Sequence, residues 1–496
     1  MTAHCESFRN SFVKFSLFRG KILMNRFYAV IIPVSTVLLL VTSNQGIPEE
    51  DPIMNIEDRR QLFVDRYLVA RTKGAELQLH KPVMREVVMV YDRPWEGNTC
   101  GYFTIFRDGE VYRMYYRAWH HKNKKEMHPP YVCCAESNNG IEWTRPELGI
   151  VSFRGSKKNN IILKGKGTHN FVPFKDLNPA CRPDETYKAF GGVHKEGGVF
   201  AFSSEDGIRW KLMSVKPVIT SKQFAFDSQN VPFWDSERGE YRAYFRAWRK
   251  GVRDIKTAVS KDFLHWSRPV WLTYPDAPRE HLYTNQVQPY YRAPQILIGF
   301  PSRYIEERGS LVEGLFMSSR GGRKFIRRPE AIIRPGRNRD RWHNRSNYIW
   351  LGLVETESDL PGGVKELSLY TNESYYKGRG VKTRRYTYRL DGFVSVSAPL
   401  SGGEMVSKPF IFKGNCLRIN FSSSAAGAVK CELQNKDGRA FSGFKQSDCD
   451  ELFGDDHDRI VTWNKRWNIA EYAGKAVRLR FILHDADLYA FRFGLK

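Results

Sequence analysis

Five stretches of this sequence set an acid or a histidine just ahead of a run of strand-forming residues. They are Trp95-Glu96-Gly97 before YFTIF, His169 before FVPF, Asp227 before NVPFW, Glu280 before QVQPYY and His343 before NYIWLGL. Carboxyl groups in pairs can do acid–base and nucleophilic work: a glycosidic bond is hydrolysed between two of them, one protonated and one ionised. Glu96, Asp227 and Glu280 are therefore the candidate catalytic residues, with His169 and His343 beside them. Taken singly, each acid reads equally well as an exposed or structural side chain. The case for chemistry rests on their being brought together.

Bringing them together requires a repeating architecture, and the sequence carries one. Tyr112–Trp119 (YRMYYRAW) and Tyr241–Trp248 (YRAYFRAW) match at six of eight positions. A second signature, a strand, a polar turn and an aromatic, ends at Trp143, Trp210, Trp266 and Phe325. Its spacing of about 60 residues, filled by short alternating strands, is that of a four-stranded propeller blade. The expected fold is all-β: a five-bladed β-propeller followed by a C-terminal, jelly-roll-like β-sandwich. Residues 44–385 are assigned to the propeller and 386–496 to the sandwich, with a segment before Val87 expected to close the ring. Residues just ahead of each innermost strand converge on the axis of such a ring. Arg117, Trp119, Arg246 and Trp248 end equivalent strands on the same face. With His169 and His343 they are candidate substrate-binding residues, since a guanidinium grips carboxylate or sulfate in a fork and an indole stacks on a sugar. Asp176 and Asp235 read as turn formers, and Glu373 as the next acid in line.

This layout resembles the five-bladed glycoside hydrolases of the invertase/levansucrase and arabinanase/xylosidase groups. Those groups keep a carboxylate at the start of blade one, a second about 120 residues on and a glutamic acid about 50 further; here Asp227 lies 131 positions after Glu96, and Glu280 lies 53 after Asp227. The resemblance implies Glu96 as nucleophile or base, Glu280 as acid and Asp227 as stabiliser of the oxocarbenium-like state. Three departures exclude carrying over fructan specificity: Trp95-Glu96-Gly97-Asn98, Phe226-Asp227-Ser228 and Glu280-His281 stand where the invertase motifs would be. The segments EHLYTNQ, RLDGFVSV and DLYAFRF more closely resemble an exported propeller family of planctomycete-type bacteria. The implied activity is glycosidase action on an oligo- or polysaccharide; a non-catalytic glycan-binding propeller and a glycoside phosphorylase are the alternatives.

Composition agrees with a folded, aromatic-rich chain: 41% hydrophobic and 14% aromatic over 496 residues. The net charge of +24 favours polyanionic partners. No helix-turn-helix, zinc-finger or RNA-recognition pattern accompanies it, so sulfated or uronic glycans are expected rather than nucleic acid. The densest basic stretch, Arg320–Arg345, holds nine arginines and reads as an anionic-glycan groove or a solvated face. Phe27–Val41 is an apolar run behind Arg26 and ahead of small residues, the pattern of a secretory signal spanning residues 1–43. It is short for a membrane span, so no membrane embedding is expected beyond an N-terminal anchor, the alternative to cleavage. The expected location is outside the cytoplasm: periplasmic, extracellular or at the cell surface. Seven cysteines follow residue 43, an odd number, and Cys416 and Cys431 are candidates to face each other. No cofactor is required by this chemistry. The acids between Asp448 and Asp458 are a solvated loop or a structural calcium site.

Overall fold

The computed structural model describes residues 53–121, 127–377 and 380–496; the expected export signal lies outside them. The chain is all-β, with helical turns limited among the described residues to short 3-10 segments. Five four-stranded antiparallel sheets form the blades, with innermost strands Gly101–Asp108, Val172–Lys175, Val231–Asp235, Gln288–Tyr290 and Val354–Glu357. An early segment closes the ring, though it runs past Val87 and does not end before it: Val83–Tyr91, the first propeller strand in sequence, pairs antiparallel with Val381–Arg389 as the outermost strand of blade five. Blade four carries an extra hairpin, Ser302–Ile305 with Leu311–Gly314.

The recurring turn signature has one physical cause. Ser137, Ser204, Ser260 and Ser319 each accept, through Oγ, the backbone N–H three residues on, at 2.8–3.0 Å. That third residue is left-handed in every case: Gly140, Gly207, Phe263 and Gly322. Three residues further, Trp143, Trp210 and Trp266 donate Nε1–H back to its carbonyl. The indole is thereby held between sheets; Trp210 meets Tyr115 and Phe171 edge-on. Neighbouring blades are stitched at the same turn, since Tyr370, Tyr115 and Tyr244 donate to the carbonyls of Gly140, Gly207 and Gly322.

A second repeat lies at the inner strands. Asn170, Asn230, Asn285 and Asn347 are fully buried, and each spends its side-chain N–H groups on two backbone carbonyls, largely of adjoining segments. Buried donors are costly to leave unmade, so these amide N–H groups pin the blades in fixed register.

The sandwich draws on both ends of the chain. Cys416–Asn435 and Val477–Gly494 run antiparallel along almost their full length. Met54–Glu57, Gln61–Leu62, Val69–Lys73 and Glu76–Leu79 join the same sheet system. The boundary at residue 386 falls inside the blade-five strand Val381–Arg389, and residues 54–79 pair in the sandwich and not in a blade. Phe410, Phe412, Trp463, Phe481, Phe491 and Phe493 lie in its core. Cys416 and Cys431 do not face each other, because both lie on one continuous strand. Cys431 instead donates its backbone N–H to the Cys449 sulfur at 3.2 Å.

Candidate functional site

Asp227 and His169 open consecutive blades, and their side chains meet: His169 Nε2 lies 3.3 Å from Asp227 Oδ1. Arg246, from the second strand of blade three, donates to the other oxygen, Asp227 Oδ2, at 3.1 Å. Its repeat partner Arg117, from blade one, has Nη1 3.3 Å from His169 Nε2 and 3.4 Å from the His169 carbonyl oxygen. Arg117 also donates through Nη2 to the Tyr375 hydroxyl at 2.5 Å. The rings continue around the axis. Tyr102 meets His169 and Trp350, Tyr348 packs between Trp350 and Tyr283, and Tyr283 carries Arg246 at 4.2 Å with Arg253 and Arg345 both at 5.6 Å. All five blades thus contribute to one cluster, which holds four arginines and the Asp227 carboxylate, with Glu306 paired to Arg253 at 3.2 Å on its outer side. Beneath it the axis is plugged, with Gln286 donating to Gln229 Oε1 at 2.6 Å and Gln229 reaching the Phe103 carbonyl.

The electrostatics follow from this packing. Burial pushes the Asp227 carboxyl up, but the His169 hydrogen bond and the Arg246 charge outweigh it and hold the group well below the usual carboxylate range. Burial, joined by Arg117, lowers the His169 pKa against the pull of Asp227, so the imidazole is neutral near pH 7. Arg246 is 2% exposed. Burial works against its charge, yet Tyr283 and Asp227 hold its pKa above the ordinary arginine value. Its Nη1 is buried without a hydrogen-bond partner, and the same holds for the Tyr348 hydroxyl, Trp350 Nε1 and Arg345 Nε. Every one of these groups can donate, and none has a protein acceptor among the described residues. Two half-exposed indoles flank it. Trp119 lies 5.5 Å from His169, and Trp248 stands beside His281 with the Arg253 guanidinium 4.7 Å over its ring.

The structure thus brings together Asp227, His169, Arg117, Trp119, Arg246 and Trp248. It does not bring Glu96 or Glu280 to them. Glu96 is 1% exposed; its Oε1 takes the Arg145 guanidinium at 2.8 Å and the Tyr116 hydroxyl at 2.6 Å, and its Oε2 accepts the Arg93 backbone N–H. Glu280 pairs with Arg303 at 2.5 Å and with Arg327, on the wall of a cavity of about 260 Å³ lined also by Asp254 and Tyr274. Both carboxylates are structural ion pairs here, which corrects the expectation of a catalytic pair with Asp227. Glu373 is likewise buried, on Arg384 and Arg341. His343 makes none of the cluster contacts and buries Nε2 without a partner.

The error is one of register. Counting back from the pinning asparagines, His169 is one residue before Asn170 and Asp227 three before Asn230, whereas Glu280 is five before Asn285 and His343 four before Asn347. The residues two before, Tyr283 and Arg345, are the ones that reach the cluster. Tyr102, Tyr283, Arg253, Arg345, Tyr348 and Tyr375 were missed, and only an alignment on the asparagines would have flagged Tyr283 and Arg345. The arginines of 320–345 do not form one groove: Arg320 pairs with Asp65, Arg327 with Glu280 and Arg341 with Glu373, and Arg345 alone joins the funnel. In the acidic stretch Asp458 bridges Arg60, Arg418 and Arg492, and among the described residues no three acid, histidine or cysteine side chains gather as a metal site.

No family model matches the chain. No curated protein matches it either. Solved structures overlap it at low identity. A thermostable family-43 glycoside hydrolase is 16% identical with a TM-score of 0.41, covering 62% of this chain and 96% of that one. The Bombyx mori GH32 beta-fructofuranosidase is 10% identical with a TM-score of 0.40, over 84% and 95%. An endo-arabinase from Bacteroides thetaiotaomicron is 12% identical with a TM-score of 0.37, over 63% and 97%. Overlaps of this strength assign no reaction, and the chemistry is argued from the funnel alone.

Proposed function

We propose that this chain is an exported glycosidase-type enzyme that takes an acidic oligo- or polysaccharide into the mouth of the propeller and breaks a glycosidic bond there. The observation that carries the reading is the five-blade cluster itself: a charged Asp227, a neutral His169, four arginines of which Arg246 and Arg345 keep an unspent donor, and indoles at the rim. Sugar rings stack on such indoles, and guanidinium forks suit carboxylate or sulfate. Asp227 is the carboxylate at the bond, and Arg117 and Arg246 position it and the substrate. The reaction needs no cofactor.

A non-catalytic glycan-binding propeller is the second reading, favoured by the burial of Glu96 and Glu280 in ion pairs. The test is release of new reducing ends from a panel of neutral, uronic and sulfated polysaccharides, with and without phosphate. Release from acidic members alone, lost in Asp227→Asn, is the expected result. Binding without release would establish the second reading, and release only with phosphate would make the chain a phosphorylase. N-terminal sequencing of the protein from its host should find it beginning near Asn44; an intact residue 24–43 segment would indicate an anchor.

A further inference from the structure

A uronic acid offers a second way to break its glycosidic bond. The proton on C5 lies next to the carboxyl group, and once that carboxylate is neutralised by cations a base can remove it. The electron pair forms a C4–C5 double bond, the C4–O bond breaks, and the departing oxygen takes a proton from an acid. No water, metal or redox partner is consumed. The route needs a cation for the carboxylate, a neutral base and a protonated acid, and it does not need two carboxyl groups.

We propose that the funnel cleaves uronate-containing glycans by β-elimination, with Arg246 and Arg345 holding the uronate carboxylate, His169 Nδ1 removing the C5 proton and Tyr375 protonating the leaving oxygen. The inference rests on the reading of the funnel as the place where an acidic glycan is cleaved. Arg246 and Arg345 both lie against the Tyr283 ring, and each keeps a buried N–H without a partner. His169 presents Nε2 to Asp227. A carboxylate there favours the proton on Nε2, since a lone pair would face negative charge. Arg117 Nη1 then uses the His169 carbonyl oxygen, and Nδ1, which has no hydrogen-bond partner among the described residues, carries the free lone pair. Asp227 thus orients and polarises the base. Arg117 links the residues of base and acid, donating through Nη1 to the His169 carbonyl oxygen and through Nη2 to the Tyr375 hydroxyl. Because that hydroxyl accepts from Arg117, its own proton remains available to donate. Burial keeps Tyr375 protonated, its pKa pushed up against the pull of Arg117. The ion pairing of Glu96 and Glu280, which leaves hydrolysis short of a second carboxyl group, costs elimination nothing.

The experiment incubates the full chain with polygalacturonate, alginate and chondroitin sulfate, and with the same polymers after reduction of their carboxyl groups to alcohols. Products are read by the ultraviolet absorbance of the conjugated unsaturated uronate and by mass. The expected result is an unsaturated fragment one water lighter than a hydrolysis product, none from the reduced polymers, and a drop of about 10²-fold or more in His169→Ala. Saturated products, or equal cleavage of the reduced polymers, would overturn elimination and leave glycan cleavage standing. If none of these polymers nor any in the wider panel is cleaved, both readings fall. Product identity decides the matter even if a variant fails to fold.

Discussion

His169 and Asp227 open different blades, 58 positions apart in sequence, yet their side chains lie 3.3 Å apart. A charged carboxylate and a neutral imidazole at that distance form an orienting pair, and Arg117 and Arg246 hold it from either side. The repeat makes this possible, because YRMYYRAW and YRAYFRAW deliver an arginine to the same height in blades one and three.

The pair has a consequence for stability. The unfolded chain binds a proton on residue 169 near the ordinary histidine value of 6.5, while the folded chain binds it only at lower pH. The folded state is therefore at full advantage above that value and loses it as pH falls through it. One histidine contributes a slope of at most about 1.4 kcal/mol per pH unit. Denaturant titrations on either side of pH 6.5 should show a shallower fall in stability for His169→Asn than for the parent. His80, His281 and His457, lowered chiefly by burial, supply the remaining slope in both. Equal slopes would remove His169 from the account.

Asp391 should be the most costly acid to lose. It is fully buried and is shared by Arg60, Arg292, the Tyr290 hydroxyl and Asn420, so it joins the N-terminal strands, blade four and the sandwich. Asp391→Ala leaves the Arg292 guanidinium uncompensated and Arg60 with Asp458 alone, a loss of about 3–5 kcal/mol. Denaturation by urea reads this directly, and a loss below 1 kcal/mol would show that the junction is not coupled through this residue.

The repeats, the five blades, the ring closure and the sandwich were legible because each leaves a periodic mark: the Ser-x-x-Gly turn with its tryptophan, and the paired YR–RAW strands. His169, Asp227, Arg117 and Arg246 were legible for the same reason. Glu96 and Glu280 misled because an acid is conspicuous in sequence while its ion-pair partner is not; Arg145 and Arg303 lie 49 and 23 positions away. Residues 54–79 were misplaced because a short alternating strand carries no sign of which sheet it will join.

The rim indoles should matter for affinity and little for folding. Trp119 and Trp248 are only partly buried, and each lies beside an arginine of the cluster. Trp119→Ala and Trp248→Ala should each weaken binding of an acidic oligosaccharide about three- to tenfold, from a stacking contribution of about 0.5–1.5 kcal/mol. Calorimetry in an Asp227→Asn background isolates binding from cleavage. Unchanged affinity in both variants would place the glycan elsewhere.

The proposed cleavage lies at the Asp227–His169 pair of the funnel, away from Glu96 and Glu280. The most direct measurement compares reducing-end release by Asp227→Asn and Arg246→Ala with release by Glu280→Gln, each checked for a retained thermal midpoint. The funnel variants should lose about 10²-fold or more, while folded Glu280→Gln stays within a few-fold of the parent. A Glu280 variant that folds normally but is inactive, beside funnel variants that keep their rate, would contradict the account.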